Sequence, residues 1–93
     1  MIDTAGTLIN AAKAALKHGA KSVSAVATHP VLSEPSLERI QSSKIKHILL
    51  TDSIFITESK KLPNMDIVSV ANMFGEAIKR IHKGESVSAL FGF

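Results

Sequence analysis

The chain has 93 residues, 45% apolar and 20% charged, which suits one small domain or a portion of a larger one and excludes barrel and two-domain enzymes. Cysteine is absent, which excludes disulfides and thiolate chemistry, and no apolar run nears the roughly 18 residues of a membrane span, so a cytoplasmic, non-membrane protein is expected. Eleven basic against eight acidic residues give a mild +3, with lysines scattered from Lys13 to Lys83 and no Trp or Tyr for stacking, so nucleic acid is not an expected partner.

In chain order, Asp3-Thr4-Ala5-Gly6-Thr7 is a polar, glycine-containing opening. It leads into Leu8, Ile9, Ala12, Ala15 and Leu16 at helical spacing, with Lys13 and Lys17 opposite, so a helix is predicted from Thr4 to His18. Gly19 then stands where a left-handed cap should stop it. Ser22 to Thr28 is small and β-branched and ends at His29-Pro30, which predicts a strand closing there. Pro35 suits a first helical turn, and Leu37, Arg39 and Ile40 carry that helix to Ser43. Ile45–Thr51 is a second predicted strand, Ile54–Ile56 a short extended piece, residues 60–64 a loop, and Asp66–Val70 a third strand. Asn72 should cap a last helix with apolar positions Met73, Phe74, Ala77, Ile78 and Ile81, closed by Gly84.

Helices alternating with near-continuous apolar strands point to an α/β fold built on a mostly parallel, covered sheet with flanking helices. The opening is unusual in that fold. A phosphate-type loop normally leaves a strand and enters a helix, and here no strand precedes it, so the sheet is expected to lack a neighbour at its front.

The opening is also the first place to look for chemistry. A helix N-terminus presents unpaired N–H groups and a partial positive charge, Gly6 lets an anion approach closely, and the hydroxyls of Thr4 and Thr7 add donors. Asp3 beside them can accept from sugar hydroxyls. The plainer alternative is that Thr4 caps the helix while Asp3 favours its dipole. His18, His29, His47 and His82 have no metal-ligand spacing, and no carboxylate pair or nucleophile motif suits catalysis, so neither metal nor catalytic residues are expected. His29 is singled out by its place at a strand end, where ligands of parallel sheets collect.

These residues resemble a known family. Met1-Ile2-Asp3-Thr4-Ala5-Gly6-Thr7 is similar to the ribose 5-phosphate loop of ribose-phosphate diphosphokinases (phosphoribosyl pyrophosphate synthetases). The similarity continues through Ala27–Ser33, Leu37–Ile40, Thr51–Ile54, Glu76–His82 and Gly84–Phe91, in the same order along nearly the whole chain. It implies a partial phosphoribosyltransferase-like (Rossmann-like) domain over residues 1–93, the C-terminal portion of an enzyme that moves the β,γ-diphosphoryl group of ATP to the anomeric hydroxyl of ribose 5-phosphate with magnesium. By that resemblance Asp3 binds ribose hydroxyls, Thr4, Ala5, Gly6 and Thr7 hold the 5-phosphate, and Ser86, Ser88 and Phe91, in the tail of residues 84–93, line a regulatory phosphate or ADP site at a subunit contact of a homo-oligomer.

The departures are specific. The two aspartates that open the family loop are absent, and the family's ATP, magnesium and flexible-loop segments lie upstream of anything in this chain. Glu34 replaces the usual glycine after Ser33, and Asn72-Met73-Phe74 replaces the usual opening of the last helix. Two functions follow: an inactive-alone portion of the synthetase carrying part of the ribose 5-phosphate site, or a non-catalytic partner that assembles with full-length subunits.

Overall fold

The computed structural model describes residues 1–91; Gly92 and Phe93, the end of the expected tail, lie outside the described residues. The Ala-rich stretch GTLINAAKAALK forms α1 (Gly6–Lys17), as its high helix propensity favours. It is followed by β1 (Val23–Ala27), α2 (Ser36–Gln41), β2 (Ile45–Thr51), β3 (Met65–Val68) and α3 (Ala71–Lys83). Short 3-10 turns lie at Glu58–Lys60 and Ser88–Phe91.

The three strands form one sheet in the order β1-β2-β3, with both pairings parallel. Side chains alternate across a strand, and the register puts Ala25, Ile48 and Met65 in one row and Ala27, Leu50 and Ile67 in the next on the same face. That face carries the core. Ile40, Ile48 and Leu50 are fully buried, Ala12, Ile2 and Ile56 join them, and Leu8, Ile9 and Leu37 pack against the cluster from α1 and α2. The small Ala25 and Ala27 leave room for these helices to approach the sheet.

The other face is open, which corrects the expectation of a covered sheet. Val26 is 77% exposed and Val68 52%; on this face His47 Nε2 meets Asp66 Oδ2 at 2.6 Å across β2 and β3. The helix α3 does not close it. Its packing partner is the 3-10 turn at Ser88–Phe91, and Ile78 and Ile81 are each about two-thirds exposed. The radius of gyration of 16.3 Å reflects this projection, since a compact chain of this length has about 12 Å.

Several local expectations are revised. Thr4 does not cap α1. The cap residue is Ala5 in the left-handed region (φ 66°), with no side-chain cap bond. Pro35 sits just before α2 at its cap position rather than in its first turn. Asn72 lies inside α3, whose cap is Val70. Ile54–Ile56 forms no strand; Ile56 instead buries its side chain in the β2–β3 crossover. Gly19 (φ 100°) and Gly84 (φ 71°) do adopt the left-handed stops expected of them. The front of the chain also supplies a strand stub: Ile2 bridges Pro30 in parallel, its N–H donating to the His29 carbonyl at 3.0 Å and its carbonyl accepting from Leu32 N–H at 3.0 Å.

Candidate functional site

The bridge from Ile2 to Pro30 sets residues 3–7 at the C-terminal edge of the parallel sheet, where ligands bind in folds of this kind. Ile2 and Ala5 are buried and anchor the loop, while Asp3, Thr4 and Thr7 are exposed. Residues 1–8 line a concavity of ≈ 150 Å³. Ala5 and Leu32, the two non-glycine residues of positive φ among the described residues, both lie next to the Ile2 bridge in the chain or in space. A left-handed alanine costs about 1–2 kcal/mol, and such strain collects where a backbone is held for a purpose.

The purpose is visible in the donors. α1 begins with Ile9 N–H donating to the Ala5 carbonyl at 3.0 Å. Among the described residues the N–H groups of Ala5, Gly6, Thr7 and Leu8 meet no acceptor. A run of consecutive N–H groups at the positive end of a helix, flanked by two threonine hydroxyls, can take a phosphate. Asp3 is exposed beside it and free to accept from hydroxyls.

Two groups flank this loop. Arg39 on α2 donates from Nη1 to the Thr4 carbonyl at 3.1 Å. No sequence signal marks this contact, which joins residues 35 apart; Arg39 reads in sequence only as a helical position. His29, marked by its place at the strand end, has its Nδ1 2.8 Å from Ser53 Oγ, which donates to the Thr28 carbonyl at 2.9 Å.

The β2–α3 junction is built by Asp52. Its Oδ1 accepts from Val70 N–H at 2.7 Å and its Oδ2 from Ser69 Oγ at 2.8 Å. The Val70 N–H, with help from Ser69, holds the Asp52 carboxyl below its ordinary pKa. A carboxylate 18 residues upstream of Val70 thus serves the start of α3 in place of Asn72.

The second expected site lies apart from the loop. Ser86 Oγ and Ser88 Oγ are 2.9 Å from one another. Arg80 Nη1 donates to the Ser86 carbonyl at 3.2 Å while its Nε donates to Glu76 Oε1 at 3.2 Å. The structure therefore brings the two serines together and places a guanidinium beside them. Phe91 closes the 3-10 turn that follows. A larger apolar groove of ≈ 270 Å³ between α1 and the end of α2, lined by Ile9, Ala12 and Leu16 with Lys13 and Lys44, lies away from both sets. No helix is long and apolar enough to cross a membrane among the described residues.

Fold and loop together define a parallel α/β domain with a glycine-containing loop and a helix start at the C-terminal edge of its sheet. Residues 1–92 match the family described as the phosphoribosyl synthetase-associated domain, and the chain belongs to that family. It is 54% identical over 91 residues to a ribose-phosphate pyrophosphokinase of Caldanaerobacter subterraneus subsp. tengcongensis, covering 98% of this chain and 29% of that protein. It is 52% identical over 91 residues to ribose-phosphate pyrophosphokinase 2 of Enterococcus faecalis, covering 98% of this chain and 28% of that one. The crystal structure of phosphoribosylpyrophosphate synthetase from Mycobacterium smegmatis matches with a TM-score of 0.85 at 33% identity, covering 90% of this chain and 28% of the enzyme. The chain thus spans less than a third of the length of these relatives.

Proposed function

We propose that this chain is the C-terminal, ribose 5-phosphate-holding portion of a ribose-phosphate pyrophosphokinase, an enzyme that transfers diphosphate from ATP to ribose 5-phosphate to give phosphoribosyl pyrophosphate and AMP. The observation that carries the reading is the start of α1 at the sheet edge, where the N–H groups of Ala5, Gly6, Thr7 and Leu8 meet no acceptor among the described residues, in a chain matching that family along 98% of its length. In this reading those N–H groups and the hydroxyls of Thr4 and Thr7 bind the 5-phosphate, and Asp3 accepts from the sugar hydroxyls. Their role is positioning. Phosphoryl transfer needs little covalent chemistry from the protein, so a fixed ribose presents its anomeric hydroxyl in line with the incoming diphosphoryl group.

Magnesium neutralises the transferring phosphates in chemistry of this kind. Among the described residues no three His, Asp or Glu side chains converge, and no step here is routed through a magnesium ion. ATP likewise has no pocket assigned in this chain, and the isolated chain is expected to release no AMP above background.

The tail residues Ser86, Ser88 and Phe91 are proposed as a regulatory phosphate or ADP site, with the Arg80 guanidinium as its charge partner. A second reading, assembly with other subunits, is favoured by the open sheet face around Val26 and Val68 and by the apolar stripe of Ile78 and Ile81. Apolar area of this extent on one small chain promotes association, either with itself as a homo-oligomer or with full-length synthetase.

Calorimetric titration of the chain with ribose 5-phosphate, ribose and inorganic phosphate tests the substrate assignment. Binding of ribose 5-phosphate above both part-ligands is expected, because sugar and phosphate contacts lie on one loop. Equal weak binding of ribose 5-phosphate and phosphate would remove Asp3 from the site, and no binding of either would remove the loop.

A further inference from the structure

We infer that Arg39 is the positioning residue of the phosphate loop: it holds the Thr4 carbonyl in the orientation that keeps the Leu8 N–H open, without itself touching the anion. The inference rests on the function proposed above but makes a separate structural claim.

In a regular helix the carbonyl of residue i accepts from the N–H of residue i+4. Thr4 and Leu8 stand in that relation, and their bond is not made. The left-handed turn at Ala5 swings the Thr4 carbonyl outward, and Arg39 Nη1 takes it at 3.1 Å. Without Arg39 the Thr4 carbonyl can take the Leu8 N–H as one more helical bond, and that step relieves the left-handed strain at Ala5. Arg39 occupies that carbonyl, and a bond from a charged donor is stronger than the neutral one it replaces.

The guanidinium sits on the flank of the loop. It lines a groove with Gly6, Ile9, Asn10 and Lys13 that meets the concavity of residues 1–8 at Gly6. Gly6 is part of the same arrangement. A Cβ at that position would lie 3.3 Å from Arg39 Nη1, so an alanine there makes the guanidinium give by a few tenths of an ångström along its approach to Thr4.

The test uses Arg39→Met, Arg39→Lys and Gly6→Ala in the full chain, with amide hydrogen exchange read without ligand. In Arg39→Met the Thr4 carbonyl returns to Leu8, so Leu8 exchange should slow relative to wild type even if the variant is less stable. Simple destabilisation cannot protect an amide that already lacks an acceptor. Arg39→Lys retains one donor and should restore part of the wild-type rate. Gly6→Ala displaces the guanidinium without removing it and should slow Leu8 as Arg39→Met does, which keeps the inference open to test if Arg39→Met fails to fold. Affinity for ribose 5-phosphate should fall roughly tenfold in Arg39→Met, the size expected for a charged hydrogen bond. Unchanged or faster Leu8 exchange in the variants overturns the inference. Slowed Leu8 with no ribose 5-phosphate binding by wild type would keep the Arg39 role and refute the substrate reading instead.

Discussion

Replacing Ala5 by glycine separates strain from packing. Ala5 is buried and left-handed at φ 66°. Its methyl contributes about 0.8 kcal/mol of burial, and glycine adds about 0.4–1 kcal/mol of entropy to the unfolded chain. Against these, glycine relieves about 1–2 kcal/mol of left-handed strain. The opposing effects nearly cancel, so Ala5→Gly should change stability by no more than about 1 kcal/mol, a few degrees in Tm for a domain this small. Ala12 is the control, because it is 4% exposed in the interior of α1 and carries no strain to relieve. Ala12→Gly loses a similar methyl and about 1 kcal/mol of helix propensity, close to 2 kcal/mol in all and upwards of roughly 8 °C. Thermal and urea unfolding of the two variants, run side by side, give the comparison. Equal destabilisation by both would mean that Ala5 is not held left-handed at the start of α1.

Three further outcomes follow from single contacts. Asp52 is held below its ordinary pKa in the folded state, so its contribution is present above the unfolded carboxylate value and is lost as pH falls through the lower folded one. Asp52→Asn should therefore flatten part of the acid unfolding profile below roughly pH 4, whereas identical profiles would remove its role at the start of α3. Ile78→Lys with Ile81→Lys should shift sedimentation toward monomer across a hundredfold dilution, since both lie on the exposed stripe of α3; an unchanged distribution would place any association elsewhere. Ser36 Oγ is buried without a partner among the described residues, so Ser36→Ala should leave stability equal or higher, and a loss above about 1 kcal/mol would reveal a hydrogen bond formed there.

Local signals read well from sequence and long-range ones did not. The spacing of Leu8, Ile9, Ala12 and Leu16 marks α1, and Gly19 and Gly84 mark two helix stops, because each depends only on near neighbours. The start of α1 misled because Thr4 has a capping side chain, yet the fold turns Ala5 left-handed and ties the Thr4 carbonyl to Arg39. The same holds for α3, where Asn72 has the right chemistry and Asp52 holds the position. The apolar stripe of α3 shows in sequence that a face favours cover, but not that Ile78 and Ile81 stay exposed in this chain. Ser86 and Ser88 entered through the family resemblance alone, and their 2.9 Å hydroxyl contact is a feature of the folded tail.

The most direct measurement of the central claim is an amide-resolved NMR titration of the full chain with ribose 5-phosphate. The largest shifts are expected at Ala5, Gly6, Thr7 and Leu8, whose N–H groups meet no acceptor among the described residues, with Asp3 moving in the phosphosugar titration and not with inorganic phosphate. Shifts centred instead on Lys60 and Lys61, with residues 5–8 unmoved, would contradict the assignment of this loop as the ribose 5-phosphate site.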